Sequence, residues 1–158
     1  MKYNTVKCKF VENKRVVNSG IIIINKQNEK SSILLLKRKD HKHWELPGGK
    51  VDLRDKLNHS KFDTLKNAAI RETKEETNIN CKNKLSNLKP FFIDFISSEG
   101  KKRRSYNFVA FSNKVPKLEK GFSDWKYIQL SAFSKYKLAP NVIILDDMIK
   151  KGLLDKRI

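Results

Sequence analysis

Unbroken apolar runs mark two strands near the start of this chain. Residues 21–24 are four consecutive isoleucines, and residues 33–36 form a second run after a polar segment. Continuous β-branched runs are typical of strands buried on both faces, whereas a half-exposed strand alternates apolar and polar residues. Residues 16–25 and 31–39 are therefore predicted to be the two strands of a hairpin.

Further strands are predicted on either side of this hairpin. Residues 6–10 alternate apolar and polar positions, which indicates an opening strand with one buried face. Residues 91–96 and 105–111 are predicted to form a second hairpin, with the basic run 101–104 at or beside its turn. Residues 125–130 are the last predicted strand, and residues 53–62 are interpreted as a charged loop.

Helical periodicity predicts a helix that begins near Ser60 or Asp63 and ends about Thr77. Ser60 with Asp63 resembles a capping box, and Asn78 suits a left-handed residue after the last turn. At about 100° per residue, one stripe of this helix is apolar in its first half and acidic in its second half. The stripe consists of Leu65, Ala68, Ala69, Glu72 and Glu76, with Glu75 at its border.

A final helix is predicted to open at Pro140 or Asn141 and to run through Lys150. The order of elements is then strands, one helix, strands and a terminal helix. This order predicts an α/β fold with helices on both sides of a mixed sheet. At 158 residues the chain is interpreted as one domain, residues 1–158, with no internal repeat.

Three carboxylates crowd the acidic end of the predicted helix. Glu72, Glu75 and Glu76 repel one another and lie at the negative end of the helix dipole. A divalent cation with oxygen ligands would remove this cost, so the pattern indicates a metal site. The alternative is a solvated helix end at which Arg71 pairs with Glu75 at i,i+4.

Composition narrows the class of partner. Lys and Arg number 35 against 17 Asp and Glu, so the formal net charge is +18. Such a chain attracts polyanions, including RNA, although Lys-rich composition throughout is an alternative explanation. The longest apolar run is too short to cross a membrane, and residues 1–5 lack the apolar segment of a signal peptide. Cys8 and Cys81 form no metal or redox spacing, so a cytoplasmic location is expected.

Pro47, Gly48 and Gly49 precede the acidic helix, and glycine lets a backbone approach a ligand closely. With residues 71–79 they resemble the Nudix box, G-x5-E-x7-R-E-U-x-E-E-x-G-U, in which U is bulky and apolar. The resemblance spans Gly49 to Ile79. Its four charged positions, Arg71, Glu72, Glu75 and Glu76, match in register.

The chain departs from this pattern at several positions. Counting back from Arg71 places Asp63 at the first acidic position, which implies an insertion around residues 53–62. Thr73 stands where an apolar residue is usual, and Asn78 replaces the last glycine. None of these departures removes the expected metal ligands.

The resemblance implies a Nudix-type α/β/α sandwich that hydrolyses a diphosphate bond by metal-activated water. Glu72, Glu75, Glu76 and the carbonyl of Gly48 would hold Mg²⁺ or Mn²⁺. Either Glu119 or Glu75 would act as the general base. Arg71 would orient these acids.

A second, weaker match concerns the end of the chain. Glu119 lies six residues before Trp125, and residues 138–143 are similar to a segment of the MutT branch whose Asn contacts a purine base. This likeness implies that Glu119 lies near the metal and that Asn141 binds the base. A solvated loop acid and a helix cap are the respective alternatives. Arg38 and Lys50 are candidate phosphate contacts.

Several substrates and assemblies fit this reading. The first is a nucleoside di- or triphosphate, as for a MutT-like pyrophosphohydrolase. The second is 5′-capped or triphosphorylated RNA, or a dinucleoside polyphosphate, which the basic charge favours. A catalytically silent nucleotide- or RNA-binding module is a third class, against which the three retained carboxylates argue. Monomer and homodimer both stay open.

Overall fold

A computed structural model describes residues 10–27, 29–56 and 60–154. Its strands and helices follow in chain order. The strands are β1 (Val11–Glu12), β2 (Arg15–Gln27), β3 (Lys30–Arg38), β4 (Trp44–Glu45), β5 (Gly48–Lys50), β6 (Phe91–Ile96), β7 (Lys102–Phe111) and β8 (Phe122–Gln129). The helices are α1 (Leu53–Lys56), α2 (Lys61–Thr77) and α3 (Pro140–Lys150), with a 3-10 helix at Leu130–Lys135.

The described strands form one mixed sheet with β2 at its centre. The order along the sheet is β4-β3-β2-β7-β6. Strands β2 and β7 run parallel, from Val16 beside Arg103 to Ile24 beside Phe111. On its other edge β2 pairs antiparallel with β5 and then with β3, and β8 extends the sheet antiparallel to β3. The predicted hairpins β2–β3 and β6–β7 are confirmed.

Helices cover both faces of the sheet, as the α/β prediction required. Ile21 and Ile23 pack on the side of α2, whereas Ile22 and Ile24 pack on the side of α3. All four isoleucines are fully buried. The unbroken apolar run therefore arises because β2 has a core on each face.

The ends of the helices follow their sequence signals. At the start of α2 the hydroxyl of Ser60 accepts a hydrogen bond from the backbone N–H of Asp63 at 3.2 Å. At its end Asn78 adopts a left-handed conformation, φ 58°, and its N–H bonds the Lys74 carbonyl. Helix α3 begins at Pro140, as predicted.

Other predictions are corrected by the structure. Residues 53–62 are not simply a loop, because α1 occupies Leu53–Lys56 and α2 begins at Lys61. The basic run lies only partly at the hairpin turn, since Arg103 and Arg104 are buried within β7. The last strand begins at Phe122 rather than at residue 125. The predicted opening strand lies outside the described residues except for Phe10.

No helix in the described part of the chain is long and apolar enough to cross a membrane.

A charged cluster ties β1, β7 and α2 together. The carboxylate of Glu12 accepts hydrogen bonds from Arg104 at 2.5 Å, from the Tyr106 hydroxyl at 2.5 Å, and contacts Lys61 at 2.6 Å. Burial alone would raise the pKa of Glu12. The hydrogen bonds from Lys61, Tyr106 and Arg104 outweigh burial and lower this pKa to about 2.

We expect Glu12→Gln to lower the free energy of unfolding by about 1–2 kcal/mol at neutral pH, because it removes charge-assisted hydrogen bonds. The folded pKa lies below the ordinary value of 4.5. The stabilisation is therefore complete above that value and is lost as the pH falls toward 2. Urea denaturation near neutral pH and near pH 3 measures the difference. The exposed Glu29→Gln is the control, and a difference that does not shrink in acid contradicts the account.

Candidate functional site

Two glycines let β5 lie against the centre of the sheet. Gly20 of β2 and Gly48 of β5 are register partners. A Cβ atom on Gly48 would lie 2.7 Å from the Gly20 Cα, and Gly48 has φ +154°. Neither position accepts a side chain without backbone movement. The Pro47-Gly48-Gly49 segment is thus not an ordinary turn, since its glycines open a short strand.

This strand is pressed against the acidic end of α2. The N–H of Gly48 donates a 2.7 Å hydrogen bond to Oε1 of Glu76. A Cβ atom on Gly49 would overlap the carboxylate of Glu72. Both glycines therefore permit direct contact between backbone and carboxylate.

Arg71 connects the acids of α2 to the preceding segment. Its Nε and Nη2 donate to the two carboxylate oxygens of Asp55, each at 2.9 Å. Its Nη1 donates to Glu72 at 2.9 Å and to Glu75 at 3.3 Å. Its Nη2 also donates to the carbonyl of Lys50 at 3.1 Å. One guanidinium thus joins α1, α2 and β5.

Asp55 is a residue that the sequence interpretation missed. It is only 3% exposed and faces Arg71, whereas Asp63 is exposed at the start of α2, where its carboxylate accepts from the Ser60 hydroxyl. Counting forward from Gly49, with five residues between, reaches Asp55 in the motif's own spacing. The insertion therefore follows Asp55, and the assignment of Asp63 to the first acidic position is wrong.

Glu76 lies in an environment that disfavours a negative charge. It is 7% exposed, and burial raises the pKa of its carboxyl to about 9. Glu45, Glu72 and Glu119 add repulsion, and the Gly48 N–H opposes it. Burial also raises the pKa of Glu72. A nearby cation would favour the ionised form of both groups.

Glu119 lies beside Glu76 although forty-two residues separate them. Its backbone N–H donates to the Glu76 carbonyl at 3.1 Å. The residue is exposed, and its charge acts on Glu76. The spacing to Trp125 thus identified an acid that the fold brings to the end of α2.

The donor set suits a hard cation, but the side chains are not arranged around one. Among the described residues, no three His, Cys, Asp or Glu side chains are grouped so that they would hold an ion as they stand. Glu72 and Glu75 are paired with Arg71 instead. Carboxylate oxygens near a backbone turn are nevertheless the ligands that Mg²⁺ and Mn²⁺ prefer. The chemistry therefore fits, provided that Glu72 and Glu75 exchange partners.

A cleft of about 350 Å³ opens beside this cluster and is lined by Gly48 and Gly49. The three predicted substrate contacts, Arg38, Lys50 and Asn141, also line it. Arg38 is held by Asp40 at 2.8 Å and by Glu45 at 3.6 Å.

Asn141 is not the cap of α3. The N-cap of that helix is Ala139, which makes no side-chain capping bond. The amide of Asn141 is therefore not accounted for by capping, and it stands at the wall of the cleft.

Comparison with known proteins adds independent findings. The model of the NUDIX domain family matches residues 14–150. A putative 8-oxo-dGTP diphosphatase of Bacillus subtilis (strain 168) is 45% identical over 54 residues, 34% of this chain, but the match spans only 31% of that relative's length. A solved binary complex of a C. elegans Ap4A hydrolase is 26% identical, with a TM-score of 0.65 over 87% of this chain and 97% of that one. A MutT protein from Methanosarcina mazei Go1 is 20% identical, with a TM-score of 0.64 over 91% and 99% of the two chains; this last likeness shows the fold alone.

We expect Asp55→Asn to lower the free energy of unfolding by about 3 kcal/mol, because it leaves part of the Arg71 guanidinium without its buried counter-charge. Asp63→Asn is the matched control and should cost at most about 1 kcal/mol, since its side chain is exposed at a helix cap. Chemical denaturation of both variants measures the two losses. Equal losses would contradict the assignment of Asp55.

Proposed function

This chain belongs to the Nudix family, whose model matches most of its length, and we propose that it hydrolyses a phosphoric anhydride bond in a nucleotide derivative. The observation that carries this proposal is the buried Glu76, which accepts a hydrogen bond from the N–H of Gly48. Gly48 lines a cleft together with Arg38 and Lys50. Cations on the cleft wall suit phosphate groups, and the acids suit a divalent metal.

Glu72, Glu75, Glu76 and the carbonyl of Gly48 are proposed to hold Mg²⁺ or Mn²⁺. The bound ion supplies charge neutralisation on phosphoryl oxygens and lowers the pKa of a water molecule. The contact between β5 and α2 supports this ligand set, because it brings the backbone of Gly48 and Gly49 against Glu76 and Glu72. Arg71 positions Glu72 and Glu75 through its own ion pairs.

The general base is proposed to be Glu119 or Glu75, which would take the proton of the attacking water. Glu119 is exposed and lies at the end of α2 through its backbone bond to Glu76. Glu75 is also exposed, but it contacts Arg71. This pairing favours Glu119, because the proton acceptor needs a carboxylate that is not already neutralised.

The leading substrate class is a nucleoside di- or triphosphate, with Arg38 and Lys50 at its phosphates and Asn141 at its base. The likeness to a putative 8-oxo-dGTP diphosphatase supports this MutT-like reading. The likeness to an Ap4A hydrolase supports dinucleoside polyphosphates as the second class. The proposal of capped or triphosphorylated RNA as a substrate is supported by the net charge of +18. The proposed cytoplasmic location is supported by the sequence alone.

We expect Glu76→Gln to abolish Mg²⁺-dependent hydrolysis, with a loss of at least about 100-fold, because it removes a carboxylate ligand while keeping the side chain's shape. The assay is release of phosphate or pyrophosphate from nucleotides, dinucleotides, nucleotide sugars and capped RNA, with each metal and with chelator. Glu29→Gln, in the exposed turn before β3, should keep full activity. Full activity of Glu76→Gln contradicts the metal assignment. Binding without hydrolysis of any substrate would instead establish a silent module.

A further inference from the structure

The floor of the cleft is polar where the sheet should be apolar. Ile22 and Val109, which are register partners on β2 and β7, pack in the core on the side of α3. Side chains two residues apart on a strand share a face. The preceding positions on that face are polar and all line the cleft; they are Asn18 on β2, with Arg103, Ser105 and Asn107 on β7.

Two of these polar groups satisfy each other, and two do not. The Asn107 amide donates to the carbonyl of Ser105 at 3.0 Å, and the Ser105 hydroxyl reaches Oδ1 of Asn107 at 3.5 Å. By contrast, Oδ1 of Asn18 is buried without a hydrogen-bond partner in the described structure. Arg103 is 8% exposed, and within the described residues no ion pair or hydrogen bond joins its guanidinium to another residue.

The neighbouring arginine shows what a buried guanidinium normally requires. Arg104 is 9% exposed on the opposite face of β7, and it is bound by Glu12 and Asp94. Glu99 is a charged neighbour of Arg103. Glu99 is exposed at the hairpin turn and is already paired with Lys101 at 3.3 Å. A buried cation without a partner is costly, so Arg103 is explained by an anion that arrives with a ligand.

We propose that Arg103 and Asn18 form a sugar-phosphate subsite on the floor of the cleft. The guanidinium of Arg103 donates to a phosphate group of the substrate, and Oδ1 of Asn18 accepts a hydrogen bond from a hydroxyl of the adjoining sugar. The subsite rests on the proposed function in that it names part of the nucleotide that the cleft takes. A guanidinium suits phosphate because its planar fork donates two parallel hydrogen bonds.

The test is calorimetric binding of ADP and of adenosine, without metal, to the wild type and to Arg103→Gln. We expect Arg103→Gln to lower the affinity for ADP at least about tenfold and the affinity for adenosine less than about twofold, because only ADP carries phosphate. Arg103→Lys should recover part of the loss. The matched control is Lys102→Gln, an exposed neighbour on β7, and it should change ADP affinity less than about twofold. Asn18→Ala should weaken the binding of both ADP and adenosine.

Thermal unfolding supplies a second readout that a purely structural arginine would not produce. Arg103→Gln should keep or raise the melting temperature of the ligand-free protein, since it removes an uncompensated buried charge, yet lose the rise that ADP gives the wild type. Arg104→Gln should lower the ligand-free melting temperature. Undiminished ADP affinity in Arg103→Gln, or a ligand-free destabilisation like that of Arg104→Gln, overturns the subsite.

The same proteins separate this subsite from the proposed function. If the wild type hydrolyses nucleotides while Arg103→Gln binds ADP equally well, the subsite is refuted and the proposed hydrolase activity stands. If the wild type binds ADP through Arg103 but hydrolyses no substrate of the panel, the subsite stands and the proposed hydrolase activity is refuted. Failure of the wild type to bind ADP contradicts the subsite, whereas the proposed function is decided by the hydrolysis panel.

Discussion

The site depends on the ion pairs that the guanidinium of Arg71 makes with the surrounding acids. This guanidinium binds Asp55 with two hydrogen bonds and also contacts Glu72, Glu75 and the backbone of Lys50. Without it, these carboxylates would face one another at the negative end of a helix. The Arg71 guanidinium neutralises part of the charge of these carboxylates and fixes α1, α2 and β5 relative to one another. Burial and the neighbouring acids raise the pKa of Glu76, so a second cation placed there would favour its ionised form.

The position of this charge follows from the sheet. Strand β2 is buried on both faces, so its position is set by two cores at once. Gly20 and Gly48 then allow β5 to contact β2 without intervening side chains. This contact brings the Gly48 N–H within hydrogen-bond distance of Glu76, so the end of α2 is attached to the central strand through β5. The catalytic chemistry proposed here depends on that backbone approach.

Local patterns predicted the elements well, because they report on local physics. The isoleucine run, the Ser60 cap and the left-handed Asn78 each specify a strand or a helix end through nearby residues. Asp55 was missed because a count back from Arg71 assumes a fixed spacing, which an insertion breaks. The sequence predicts Arg103 and Arg104 at or beside a hairpin turn, whereas both are buried within β7. The face of β7 that each arginine side chain occupies depends on the register of β7 with β2, and the sequence of residues 101–104 does not specify that register.

The most direct test of the account is the binding of Mn²⁺, followed by electron paramagnetic resonance, to the wild type and to Glu76→Gln. The wild type is expected to bind Mn²⁺, and Glu76→Gln is expected to lose at least about tenfold in affinity while its melting temperature stays within a few degrees of the wild type's. Equal Mn²⁺ affinity in the two proteins would contradict the claim that Glu76 and its neighbouring acids at the end of α2 hold the metal.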